Sequence, residues 1–171
     1  MLFNNGKSSI FAVIFAVLLT LFNLEMEPEI TEMEATYLGN SKFLFDYLTN
    51  LRNIPKYFTL ITQIRFKEEI FKGQKFSAKT WFGNEEEIQV TQFDSLKKMA
   101  TFQSDSILKP ILTLQVLQAE ENRAKVKFSV KFNRKSAFFQ YTLGLMARFV
   151  LKQQFKHCFL TIKWILPNVA L

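Results

Sequence analysis

Ala124 to Phe132 reads AKVKFSVKF, and its alternation decides the fold. Val126, Phe128, Val130 and Phe132 point one way, while Lys125, Lys127, Ser129 and Lys131 point the other, the period-2 pattern of a strand with one dry and one wet face. A half-wet strand belongs to an antiparallel sheet whose other face needs an apolar cover. Working backwards, strands are expected at Thr59 to Phe66, Gln74 to Phe82, Glu86 to Phe93, Lys98 to Gln103 and Ile111 to Ala119. Lys72-Gly73, Gly83-Asn84, Asp94-Ser95 and Glu121-Asn122 supply short turns, so the strands form a meander. Pro28 to Leu38 gives a first strand with Ile30, Met33 and Ala35 as its apolar positions.

Working forwards, Ser136 to Leu166 runs without Pro and with Gly144 as its single Gly, and reads as one long helix that Pro167 ends. Ala147, Leu151, Phe155, Cys158, Ile162 and Ile165 recur at helical steps, while Arg148, Lys152, Lys156 and Lys163 mark a basic face. Between the first strand and the meander, Asn40 or Ser41 caps a short helix with Leu44, Phe45, Leu48 and Leu51 on one stripe. Pro55 ends it, and a turn at Ile54 to Phe58 follows. The class is therefore α+β: about seven strands in a curved antiparallel sheet, two short helices after the first strand, and a long C-terminal helix across the sheet.

Composition narrows the chemistry. The 171 residues suit a single core; 49% are hydrophobic, and 5 Gly with 4 Pro exclude collagen-like and low-complexity chains. One Cys and one His cannot build an intramolecular disulfide, a CxxC site or a His/Cys zinc cluster. No Gly-rich phosphate loop or nucleic-acid motif accompanies the net charge of +7. The expectation is that the protein uses neither metal nor cofactor and binds no nucleic acid.

Residues 1–24 stand apart as a hydrophobic signal or membrane-anchor segment before a ligand-binding domain at 25–171. IFAVIFAVLLTLF, Ile10 to Phe22, is 13 apolar-dominated residues behind Lys7, Ser8 and Ser9. Its length fits a signal-peptide core, and Ser8 to Leu24 reaches the lower limit of a membrane span. No A-x-A cleavage site follows, which favours retention as an anchor. Lys7 before the run and Glu25, Glu27, Glu29, Glu32 and Glu34 after it orient the rest of the chain across the membrane. The competing reading is a helix buried within the domain. The segment favours a membrane-anchored or exported protein over a cytoplasmic one.

The order of elements resembles the SRPBCC or START-like helix-grip superfamily over roughly Ile30 to Leu166. NSKFLFDYLTNLRNIPKYFTLIT, Asn40 to Thr62, is similar to its first helix, short second helix and following strand. ENRAKVKFSVKF is similar to the last strand of the polyketide cyclase/dehydrase-like and coenzyme Q binding branches. The resemblance implies a C-terminal helix gripping a curved sheet over a deep apolar cavity, in a superfamily that binds lipids, sterols, quinones and polyketides. A minority of members are cyclases or hydrolases with branch-specific catalytic residues, none of which carries over here. The hydrophobic N-terminus and the 20 Phe depart from the usual small soluble member.

Phe surplus suits a cavity, because the ring is bulky and asks for no hydrogen-bond partner; a Phe-rich core is the plainer explanation. The ligand-binding candidates are Phe76, Ala78, Thr80, Phe128, Val130, Phe132, Leu145, Met146 and Phe149, with Tyr57 and Trp81 as polar handles. His157 is the natural general base for any proton chemistry, but Lys156 beside it marks a solvated edge. Cys158 lies on the apolar stripe as a small buried hydrophobe. Glu85, Glu86 and Glu87 read as a solvated hairpin. The expected function is binding of a hydrophobic small molecule or lipid, at a membrane surface, without covalent chemistry. The alternatives are a polyketide cyclase-like enzyme, for which His157, Tyr57, Asp46 or Arg65 would have to point inward, and a partner-binding module with a collapsed core.

Overall fold

A computed structural model describes residues 5–66 and 70–165, with side chains from residue 10 onward. Seven strands form one antiparallel sheet: β1 (Thr31–Leu38), β2 (Ile61–Arg65), β3 (Lys75–Thr80), β4 (Glu85–Asp94), β5 (Met99–Ser104), β6 (Pro110–Glu120) and β7 (Arg123–Phe132). Their spatial order is β1-β7-β6-β5-β4-β3-β2. Every neighbour from β2 to β7 is a hairpin partner, and β1 joins the free side of β7 with Thr31 opposite Val130 and Leu38 opposite Arg123. Register shifts at Ile61/Gln63, Val90/Gln92 and Gln118/Glu120 sharpen the local twist and bend the sheet.

Helix α1 (Asn5–Asn23) precedes the sheet, α2 (Ser41–Thr49) and α3 (Ile54–Tyr57) lie between β1 and β2, and α4 (Ala137–Tyr141) and α5 (Leu143–Ile165) follow β7. Asn40 caps α2: its side chain accepts from the amides of Lys42 and Phe43, satisfying donors that have no partner inside the helix. Leu44, Phe45, Leu48 and Leu51 are buried as their spacing requires.

Two boundaries differ from expectation. Ile30 lies before β1 and is exposed, because the pairing with β7 starts at Thr31. The expected single helix from Ser136 is two: Thr142 leaves the helical region at φ −115° and ψ −100°, and its Oγ1 donates to the Phe138 carbonyl at 2.6 Å. Gly144 sits where any Cβ would lie 2.9 Å from the Phe139 carbonyl oxygen, so the α4–α5 corner needs a residue without one. The C-terminal end expected at Leu166 and Pro167 lies outside the described residues.

Helix α1 is not enclosed by the domain. Ile10, Phe11, Val13, Ile14, Phe15 and Val17 are exposed, which removes the reading of a helix buried within the fold. Among the described residues it is the C-terminal end that is fastened: Phe22 stacks on Phe138 at 4.3 Å between ring centroids, and just past the helix the Ala137 amide donates to the Leu24 carbonyl. No helix among the described residues is long and apolar enough to cross a membrane.

Candidate functional site

The site follows from strand parity and from where α5 crosses the sheet. Inward positions of β3 are Phe76, Ala78 and Thr80, and those of β7 are Val126, Phe128, Val130 and Phe132. The C-terminal half of α5 fills this trough: Phe155 and Phe159 each lie 5.4 Å from Phe128, and Tyr37 of β1 donates its hydroxyl to the Phe159 carbonyl at 2.9 Å. The N-terminal half presents Ala147, Val150 and Leu151 instead, and a cavity of about 800 Å³ remains beneath it. Its floor is Phe102, Leu112, Leu114, Phe128, Val130 and Phe132, and its flanks are Ile54, Tyr57 and Phe58 on one side and the β3–β4 and β5–β6 connections on the other. This is the size and lining of a small-molecule site.

Of the residues expected to bind ligand, the structure brings seven to the cavity wall: Tyr57, Phe76, Ala78, Thr80, Phe128, Val130 and Phe132. The other four require correction. Trp81 lies in the β3–β4 turn, 73% exposed, beyond the end of the paired strand. Leu145, Met146 and Phe149 are apolar but on the outward face of α5, with Met146 69% exposed and Phe149 64%. The helix phase is set by its buried stripe of Gly144, Arg148, Phe155, Cys158 and Ile162. Arg148 is corrected too. It does not join an exposed basic face, since its guanidinium donates to the Gln140 side chain at 2.6 Å and to the Gln140 carbonyl at 2.9 Å, and it pairs with Glu29 at 3.4 Å. Lys152, Lys156 and Lys163 remain exposed.

Few polar groups reach the wall. Tyr57 donates to the Leu48 carbonyl at 2.5 Å, and burial, followed by the nearby Cys158 and Tyr47, raises its phenol well above the ordinary range, so it stays protonated. Glu86 was missed by the sequence reading. Alternation along β4 turns Glu85 and Glu87 outward, where they pair with Arg65 at 3.3 Å and Lys75 at 2.7 Å. Glu86, in step with Ile88 and Val90, faces the cavity, and its Oε2 accepts from the Ser104 hydroxyl at 2.7 Å. The signal was available in that parity, but a run of three glutamates next to Gly83-Asn84 hides it.

The other titratable candidates lie elsewhere. His157 is exposed, with Nδ1 3.4 Å from the Thr161 hydroxyl. Asp46 is exposed on α2, and Arg65 is on the outer face of β2. Cys158 is buried, and burial pushes its thiol up to about 12, which leaves almost no thiolate to act as a nucleophile. Among the described residues, no three His, Cys, Asp or Glu stand close enough to hold a metal ion.

No family model and no curated protein matches the chain by sequence. Solved structures do match. An uncharacterised Bacillus thuringiensis protein superposes with a TM-score of 0.65 at 13% identity, covering 80% of this chain and 98% of the other. The Bet v1-like protein Ara h 8.0201 gives 0.64 at 17%, over 83% and 99%. Norcoclaurine synthase from Thalictrum flavum, solved with dopamine and hydroxybenzaldehyde, gives 0.60 at 11%, over 78% and 86%. The fold is the helix grip. At these identities the likeness is one of fold, and it agrees with the superfamily resemblance at that level. In helix-grip terms α5 is the gripping helix, and the cavity lies between it and the sheet.

Proposed function

We propose that this helix-grip protein binds a hydrophobic small molecule or lipid in the cavity under α5 and holds or presents it at a membrane, without covalent chemistry. The observation that carries the reading is the cavity of about 800 Å³ with a predominantly apolar lining. Burial there returns roughly 25 cal/mol per Å² of apolar ligand surface. The membrane half of the reading rests on α1, whose exposed apolar side chains have no cover among the described residues and whose burial in lipid removes that surface from water. It is also supported by position. The antiparallel register puts Phe82, Ile107 and the start of β1 at one end of the sheet, the end to which α1 is fastened. Phe82 and Ile107 are exposed rim residues of the cavity, so the entrance faces the side from which α1 leaves. Anchoring through α1, or export by it, follows as the localisation.

Native mass spectrometry of the full chain, freed of detergent in the gas phase, tests the binding. We expect a stoichiometric apolar passenger that Ala78→Trp excludes, because Ala78 is fully buried on the cavity wall and an indole there fills space the ligand needs. A protein that carries no passenger and gains no thermal stability from lipids, sterols or quinones overturns the reading in favour of a partner-binding module.

The second reading is a small cyclase-like enzyme of the same fold, and Glu86 inside the cavity is the observation that favours it. Loss of passenger turnover in Glu86→Gln, with passenger binding retained, would establish it.

A further inference from the structure

We infer that the cavity selects an amphiphile with a cationic head, a lipophilic amine, and that Glu86 holds that head. The inference rests on the ligand-binding reading and adds the ligand's chemical class. It begins with charge. Among the described residues the lining contains no Lys or Arg, and its carboxylates are Glu85 and Glu86. Glu85 is taken: it pairs with Arg65 at 3.3 Å and accepts from the Ser77 hydroxyl at 2.6 Å. Glu86 has no ion-pair partner among the described residues. Ser104 donates to its Oε2, and Ser104 is itself fixed, its oxygen accepting the Ser106 amide at 3.1 Å. That leaves Oε1 as an acceptor on a half-buried wall beside Phe76, Ile88 and Phe102.

An ionised carboxylate only accepts hydrogen bonds, so what completes this site must donate. A partly desolvated charge also favours a partner of opposite sign over a neutral donor, since charge-assisted hydrogen bonds are about twice as strong as neutral ones. A carboxylate-headed lipid would meet like charge and be rejected. The arrangement of a polar corner at Glu86, Ser104 and Ser106 against an apolar floor fits one ammonium or similar cation on an apolar body.

The test uses the full chain in zwitterionic nanodiscs and three probes of equal chain length, decylamine, decan-1-ol and decanoate, each displacing the neutral fluorophore N-phenyl-1-naphthylamine. In the unmodified protein we expect decylamine to displace it at about tenfold lower concentration than decan-1-ol, with decanoate weakest. Glu86→Gln keeps the Ser104 contact and loses the charge, and should bring amine and alcohol together. Partition into the nanodisc is common to both proteins and cancels between them. Glu87→Gln, exposed on the outer face of β4 and outside the lining, should leave the preference unchanged, which separates the cavity carboxylate from general surface charge. Equal displacement by amine and alcohol, or a preference that survives Glu86→Gln, overturns the cationic-head inference and leaves the cavity reading standing. Failure of the fluorophore to bind at all removes the cavity reading and this inference with it.

Discussion

The two halves of α5 cross the same sheet and meet opposite ends. From Phe155 onward the helix carries Phe155, Cys158, Phe159 and Ile162 into a trough closed by Tyr37, Val126 and Phe128, and all are buried. One end of the helix earlier, Ala147, Val150 and Leu151 look down on a space of about 800 Å³. The sheet does not change character between them: Phe128, Val130 and Phe132 are consecutive inward residues of β7. What changes is side-chain volume on the helix, and the fastening. The filled half is tied directly to β1 through Tyr37 and Phe159, whereas the hollow half is held at its edge by Arg148, Gln140 and Glu29. Stability therefore concentrates in the first region and binding capacity in the second.

The largest effect should come from unbalancing this division. Phe155→Ala removes a fully buried ring stacked on Phe128 and should cost about 3–5 kcal/mol. Leu151→Ala, over the existing cavity, should cost less than half as much, since little packed surface is lost there. Chemical denaturation of both variants measures the contrast, and equal costs would mean that the two halves are packed alike. Next is the fastening. Arg148→Ala leaves the buried Gln140 carbonyl and amide oxygen without their guanidinium, at a cost of about 1–3 kcal/mol; Glu29 adds little, being mostly exposed. Hydrogen exchange should show opening at α4 and the start of α5 in that variant, with the segment around Phe159 still protected.

The smallest effect is an alkaline pH dependence to which Cys158 and Tyr37 of the filled half contribute. Burial raises the Cys158 thiol from 9.0 to about 12, so the folded state keeps a proton that the unfolded chain releases. The contribution is full below about pH 9 and falls as pH rises from there toward 12. Tyr37, raised by burial and then by Cys158, acts in the same direction. Thermal unfolding between pH 7 and 10.5 should show a lower midpoint at the alkaline end, and Cys158→Ala should flatten part of that slope.

Much of the architecture was legible along the chain. Strand periodicity marked β7 and its neighbours, Asn40 marked the start of α2, and the stripe through Ala147, Leu151, Phe155 and Cys158 gave the inward face of α5 in advance. The cavity was legible only in part. Alternation placed Phe76, Ala78, Thr80, Phe128, Val130 and Phe132 on the concave face, but a cavity wall and a packed core use the same residue types. Leu145, Met146 and Phe149 misled because they are apolar and lie on the half of α5 that spans the cavity, yet they point away from it. Glu86 went unread because identical neighbours conceal strand parity when all three are acidic.

The chain by itself determined the kinds of elements and which face of each strand is dry, since periods of 2 and 3.6 are local properties of backbone geometry. It also determined that no disulfide closes within the chain, with Cys158 as its single cysteine. Only the tertiary structure decided that the space between sheet and helix is filled at one end and hollow at the other. That outcome depends on the volumes facing each other across about a hundred residues of chain and on the bulges that bend the sheet, and no local pattern records their sum.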